Sequence, residues 1–484
     1  MTARRSAALL LVIGLLVTAY RLWVIRHLGI DLYVDEAYYW GWSKALDWGY
    51  FSKPPVIAAL IAASTAAFGD GILAVKLPAL LLYPATSLVL AALGTRLFDA
   101  RIGFWSGLAF LTMPLVGALG LFVSTDAPLL FFWSLGMLFL LRALEHQRWR
   151  DWLGLGLAVG LGLLSKYTMA AFLPSALLVM LMLPRGRRAL ASPRPWLALL
   201  LALAVFAPNL WWNWQNDFPT LRHTAAITHV DDGVSDSANL GEFLVAQLAS
   251  FGPLLSIGLI WALFSLRTVW RGAAAFQPPL AFCLPLLLLV GAQAASGGAN
   301  GNWAAPAYVA GTILTIAFWI DSGRRTWAIC AVALNTVLVS LIYHWPDLTS
   351  LAGVEMTRSK DPYKRARGWH ELASGVAPAL RSHPEAILVA GDRELLAQLI
   401  YFDRPKEYAS WNPAGSVIDH YQLTTTLGDK VGRDVLLVSR SPSIGAIAAR
   451  FASSELVGNV KVDIYRDFGR EVHVFLLRDF KGYE

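Results

Sequence analysis

AALLLVIGLLVTAYRLWVI at residues 7–25, followed at residues 35–58 by DEAYYWGWSKALDWGYFSKPPVIA, decides how this chain must fold. The first stretch is apolar over close to the ~20 residues that a helix needs to cross hydrocarbon at 1.5 Å per residue. The second sets an acid pair, a run of Tyr and Trp, and a lysine ahead of two prolines just where that apolar run has ended. Acids, a cation and flat amphipathic rings at a membrane surface suit chemistry on a polar group carried by a lipid.

Composition generalises the reading. Of 484 residues, 56% are hydrophobic and only 15% charged, 20 are Trp, and the mean hydropathy is +0.51. That excludes an ordinary soluble enzyme and predicts a polytopic α-helical membrane protein. The net charge of +7 is no nucleic-acid signature, because the arginines fall in short connections rather than on one face. The two cysteines, Cys283 and Cys330, lie inside apolar runs, so neither a disulfide framework nor a metal-type spacing is present.

The N-terminus has the charged and apolar regions of a signal peptide, but no small-x-small cleavage site follows. It reads as an uncleaved first span, with Arg21 and Arg26 snorkelling at its outer end. Further spans are expected near 77–93, 103–122, 127–141, 152–164, 167–183, 196–212, 251–266, 278–295, 303–320 and 326–343, about eleven in all. Alternate connections carry the arginines: Arg4/Arg5, Arg96/Arg101, Arg142/Arg148/Arg150, Arg185/Arg187/Arg188/Arg194, Arg267/Arg271 and Arg324/Arg325. The positive-inside rule then places the N-terminus in the cytoplasm and everything after residue 343 outside. Residues 56–68 are apolar but too short to span, and fit an interfacial helix within the first outer loop, residues 27–76. Ser165-Lys166 becomes an outer turn between two short crossings.

From His344 the composition turns water-soluble. Residues 386–390 (AILVA) and 435–439 (VLLVS) look like buried strands, and residues 392–401 like a helix. The expected organisation is a membrane domain over residues 1–344 and a small α/β domain over residues 345–484 on the outer side.

The outer polar residues belong to few loops. Asp31, Asp35, Glu36, Lys44, Asp47 and Lys53 sit in the first, Asp126 in the second, Lys166 in the third, and Asn302 in the fifth; a longer fourth loop runs over residues 211–242. Each has a plain structural reading beside the functional one. Asp35 and Glu36 suit a helix's first turn; Lys53 and Lys166 could snorkel; Asp126, just before Pro128, could cap a helix; the Trp/Tyr cluster could be an interfacial belt. What favours function is their conjunction on one face of the membrane. Glycosyl transfer from a lipid phosphate needs a carboxylate to take the acceptor's proton. It also needs a fixed cation facing the leaving phosphate, and aromatic faces for the sugar's C–H surfaces.

The segments VDEAYYW, GYFSKPPVIA, STDAPLLFFW, GLLSKYT and GNWAAPAY resemble those of bacterial family 39, protein-mannosyltransferase-like glycosyltransferases, which share the GT-C fold with the lipid A aminoarabinose transferase. The resemblance covers residues 7–343 and is most specific in the first outer loop. It implies a polyprenyl-phosphate-sugar donor and inversion at the anomeric carbon. It implies Asp35 as catalytic acid residue, Asp126 as the second-loop acid, and Lys53 as the lysine that handles the lipid phosphate. Ser52 stands where the aminoarabinose transferase has an acid associated with a bound metal, so no metal site is expected; no cofactor is expected, and a divalent ion stays open.

The expectation is therefore an inner-membrane glycosyltransferase working at the periplasmic face on lipid A, lipopolysaccharide, another glycan or a protein. Catalysis is assigned to Asp35 and Asp126, donor-phosphate binding to Lys53 and Lys166, and substrate binding to Glu36, Tyr38, Tyr39, Trp40 and Tyr50. Its partners are the polyprenyl-phosphate sugar, the bilayer and a glycan acceptor, with no nucleic acid. A transporter or flippase, or an inactive scaffold of the same fold, are the alternatives. Transporters place ionisable groups near the bilayer midplane and often show repeated halves, which this chain does not.

Overall fold

A computed structural model describes residues 2–228, 237–265, 274–297 and 299–483. The expected connection with Arg267 and Arg271, and residues 229–236 of the fourth outer loop, lie outside the described residues. Two compact units emerge. One comprises Met1–Val24, Lys53–Leu60 and Lys76–Tyr343; the other comprises Ile25–Ser52, Ile61–Val75 and His344–Glu484.

The first unit is a helical membrane bundle. Among the described residues seven helices are long and apolar enough to cross a bilayer: Ala3–Leu28, Ile72–Leu97, Asp126–His146, Pro193–Gln215, Ala274–Ser296, Gly301–Asp321 and Arg325–Tyr343. Two bent pairs, Tyr167–Met182 with Pro184–Leu190 and Leu240–Phe251 with Pro253–Phe264, raise the number to as many as nine if each is one broken span. Among the described residues, length and composition alone thus do not confirm the expected count of about eleven. The two remaining expected spans are helical but short. Ala100–Thr112 has 13 residues and stops at Met113, ahead of Pro114; Trp149–Leu163 has 15 and stops at the Ser165-Lys166 turn. A 15-residue helix reaches only ~22 Å, less than the ~30 Å hydrocarbon core. The second bend has a local cause. Gly252 adopts φ +96° and abuts the Asn335 side chain, where a Cβ would clash, and Pro253 restarts the helix.

Arg21 corrects the snorkelling expectation. It is 1% exposed, and its Nε donates to Tyr343 Oη at 2.9 Å while Tyr343 Oη donates to Gly117 O at 2.7 Å. A guanidinium inside the bundle is tolerated only where such acceptors meet it. Arg26 does stay exposed.

In the second unit a five-stranded sheet runs in the order β2-β1-β3-β5-β4, with β1 Ile387–Ala390, β2 Tyr408–Ser410, β3 Val435–Ser439, β4 Phe451–Tyr465 and β5 Phe468–Phe480. β1 pairs parallel with β2 and β3, and β5 antiparallel with β3 and β4. The two apolar runs singled out in the sequence, β1 and β3, are its buried centre. Helix Arg393–Asp403 follows β1 with Asp392 as its cap, the Asp392 carboxylate accepting from Leu395 N at 2.8 Å.

Candidate active site

In the membrane unit, Asp126 opens helix Asp126–His146, but Thr125 holds the capping position. The carboxylate is therefore not a cap. Its Oδ1 accepts from Lys166 Nζ and its Oδ2 from Asn302 Nδ2, both at 2.8 Å, and the residue is 3% exposed. A buried carboxylate is stable when its charge is paired and its remaining lone pairs are bonded, which is the arrangement here. The segments carrying Asp126, Lys166 and Asn302 thus meet at one carboxylate.

A fourth joins them through the backbone. Val56 N donates to Leu164 O at 3.0 Å, so the Lys53-Pro54-Pro55 segment is tied beside the turn that carries Lys166. The two prolines fix φ and start helix Val56–Phe68, whose 13 residues fit the expected non-spanning helix. Lys53 is half-buried at that junction. Two further polar groups of the membrane unit went unassigned in the sequence. Asn302 was visible only as one polar residue of a glycine-rich loop. Lys76, fully buried with Nζ 4.6 Å from the centre of the Phe122 ring, was hidden inside an apolar run, where a lone lysine is itself a signal.

In the other unit, the acids of the first outer loop separate by role. Asp31 is 7% exposed and its Oδ2 accepts from Trp369 N at 2.8 Å and His370 N at 3.2 Å, capping helix Trp369–Ser382. Burial lifts its carboxyl above the ordinary range, although those two N–H groups favour the charged form. Glu36 is 1% exposed and folds back to Tyr33 N at 2.8 Å, closing the start of helix Val34–Ser43. Asp35, between them, keeps its side chain about half accessible, 41%, and pairs with Arg393 Nη1 at 3.2 Å.

The aromatic residues read differently from their sequence assignment as a substrate platform. Tyr38, Tyr39, Trp40 and Tyr50 are all buried, because the C-terminal residues of the same unit cover them. Tyr38 packs against Tyr421 at 5.1 Å between ring centres, Trp40 against Tyr401 at 5.1 Å, and Tyr50 stacks on Trp42 at 4.5 Å. Burial raises the Tyr50 hydroxyl to about 12. His420 lies among Tyr38, Trp42 and Tyr50 and accepts from Phe51 N through Nδ1 at 3.4 Å. Burial pushes its pKa down to about 4, so it is neutral near pH 7.

Ser52, in the place of a metal-associated acid, is buried, and among the described residues no three His, Cys, Asp or Glu side chains converge on a point that could hold a metal ion.

Residues 52–212 match the dolichyl-phosphate-mannose-protein mannosyltransferase family. The chain is 32% identical, over 90% of both sequences, to the lipid A galacturonosyltransferase RgtD of Rhizobium johnstonii. It belongs to the ArnT-like family of GT-C membrane glycosyltransferases. A shorter match, 30% identical over 45% of each chain, is to the lipopolysaccharide core galacturonosyltransferase RgtA of the same organism. The crystal structure of ArnT from Cupriavidus metallidurans bound to undecaprenyl phosphate shares the fold, with TM-score 0.64 over 97% of both chains at 18% identity. This GT-C protein is thus a multi-span membrane glycosyltransferase.

Proposed function

We propose that this GT-C enzyme moves a hexuronate from a polyprenyl phosphate onto lipid A or another lipopolysaccharide acceptor at the periplasmic face of the bacterial inner membrane. The observation that carries the reaction is the sorting of three acids, Asp31, Asp35 and Glu36, at the start of the first outer loop. Asp31 and Glu36 are buried as helix caps, whereas Asp35 alone of the three offers an accessible carboxylate. Asp35 acts as general base, taking the proton of the acceptor hydroxyl as that oxygen attacks the anomeric carbon. The bond to the phosphate breaks on the opposite face with inversion, and Lys53, on the same outer connection, meets the charge that grows on the departing polyprenyl phosphate.

Asp126 holds Lys166 and Asn302, and so keeps three outer connections in register beside the Lys53 segment. Lys166 assists phosphate binding from that anchored position. The sugar and acceptor rest on likeness to relatives: two of them are galacturonosyltransferases of lipid A or lipopolysaccharide core, and the ArnT crystal structure holds undecaprenyl phosphate. The arginine-rich connections support the periplasmic orientation.

Mass spectrometry of surface glycolipids from wild-type and deletion cells tests the whole reading. A hexuronate mass missing from lipid A or core in the deletion strain supports it. An unchanged glycolipid profile overturns it, and loss of another sugar mass overturns the donor assignment alone. A periplasm-dependent reporter joined to the C-terminus should be active; silence in a well-expressed fusion reverses the orientation.

A further inference from the structure

Arg393 is the first residue of helix Arg393–Asp403, immediately after β1 in the C-terminal part of the chain. Its neighbours in sequence are both acids, Asp392 and Glu394, and either could capture its guanidinium. Neither does, because Arg440 claims both: its Nε lies 3.0 Å from Asp392 Oδ2 and its Nη2 2.8 Å from Glu394 Oε2. Arg393 turns instead to helix Val34–Ser43. There its Nη1 lies 3.2 Å from Asp35 Oδ1, and its guanidinium carbon lies 4.8 Å from the centre of the Tyr38 ring. Asp35 and Tyr38 are one helical turn apart on the same face, so the planar guanidinium is steered by two residues of a single turn. Tyr38 is fully buried and its hydroxyl accepts from His420 N, which fixes the ring that supports the arginine.

The ion pair is thereby placed to hold one carboxylate oxygen of Asp35 and leave the other to receive a proton, while the Tyr38 ring steadies the guanidinium. We propose that Arg393 is a positioning residue for Asp35, so that the C-terminal part of the chain supplies a component of the active centre. This rests on the assignment of Asp35 as the general base. The role is orientation rather than stability. Both side chains are about two-fifths exposed, 39% and 41%, and ion pairs this accessible contribute little to folding. A carboxylate that swings away from the attacking hydroxyl loses its rate advantage, and misplacement by about 1 Å can cost about 100-fold.

The test uses the full-length purified enzyme with a polyprenyl-phosphate hexuronate and lipid A. Arg393→Gln should lower kcat about 10- to 100-fold, leave the donor KM within about 3-fold, and melt with the wild type. Arg393→Lys should recover part of the loss, since it keeps the charge without the planar fork. Arg393→Ala should regain turnover when methylguanidinium is added, saturably, which a purely architectural arginine would not show. Wild-type kcat in Arg393→Gln alongside an inactive Asp35→Asn overturns this inference and leaves the base assignment standing. An active Asp35→Asn overturns both. Early melting of Arg393→Gln, or the absence of any rescue by Lys or methylguanidinium, makes the arginine structural and also overturns it.

Discussion

Lys166 Nζ lies 2.8 Å from Asp126 Oδ1, with the two side chains only 15% and 4% exposed. Two charges this enclosed are stable together and costly apart, since removing one partner strands the other without water. Lys166→Ala should therefore destabilise the membrane unit by about 3–5 kcal/mol, as for other broken buried pairs. Asp126→Asn should cost less than Lys166→Ala, because its amide oxygen still accepts from one partner. The double variant Asp126→Asn/Lys166→Ala should lose less stability than the sum of the two single losses. Thermal unfolding in detergent measures all three; strict additivity of the single effects would show that the pair is not coupled.

Asp35→Asn should abolish transfer while the protein stays folded. Asn keeps the size of the side chain and remains compatible with a helix's first turn, so local structure survives. The amide cannot take a proton, and general-base assistance is typically worth ~10²–10⁴-fold in rate. Glu36→Gln is the internal control, because Glu36 is buried and folded back on Tyr33 N. It should affect stability more than turnover. Assays at saturating donor, with melting curves alongside, separate the two; turnover of Asp35→Asn within a few-fold of wild type would remove Asp35 from the mechanism.

Lys53→Ala should weaken transfer by about 2–4 kcal/mol of transition-state stabilisation, the usual worth of one fixed group facing a developing charge. Lys53→Arg should restore only part, because a planar fork replaces a compact ammonium. Comparing kcat at saturating donor with the affinity for polyprenyl phosphate alone distinguishes leaving-group stabilisation from simple tethering. A wild-type kcat in Lys53→Ala excludes Lys53 from phosphate chemistry.

The sequence shows spans and charges more clearly than it shows pairings. Apolar runs mark most of the membrane helices because a helix in lipid must bury its backbone bonds internally and cover itself with apolar side chains. One short helix shows the limit of that signal: Ala100–Thr112 and the six residues from Pro114 read as one hydropathic run, and only the Met113 junction divides them. Asp126 and Lys166 each stand out as ionisable groups between apolar runs, but nothing local says that they meet. Arg393 gives still less warning. A soluble helix bearing an arginine is ordinary, and its role depends on Arg440 occupying the two adjacent acids. Strands β4 and β5 were also unmarked, since β4 is mostly exposed and lacks the apolar run that betrayed β1 and β3. The aromatic cluster shows the converse: Tyr and Trp suit a sugar platform by composition, and only the fold shows that Tyr38, Tyr39, Trp40 and Tyr50 are buried.

A last expectation concerns pH. Asp403 ends helix Arg393–Asp403, and its Oδ2 is buried without a hydrogen-bond partner among the described residues. Burial raises its pKa from the ordinary 3.8 to about 7, with the positive charge of Arg381 opposing the rise. The folded form therefore holds the proton more tightly than the unfolded form does. Its stabilising contribution is complete below about pH 4, declines as pH rises through about 7, and is absent at higher pH. Asp403→Asn removes the titration while keeping the shape. Relative to that variant, wild-type protein should lose melting temperature between pH 5 and pH 8, with no further relative change above pH 8. Melting both proteins in matched buffers across that range tests the sign directly. A constant difference between them from pH 5 to pH 8 would show that Asp403 stays ionised throughout and that water reaches its carboxylate.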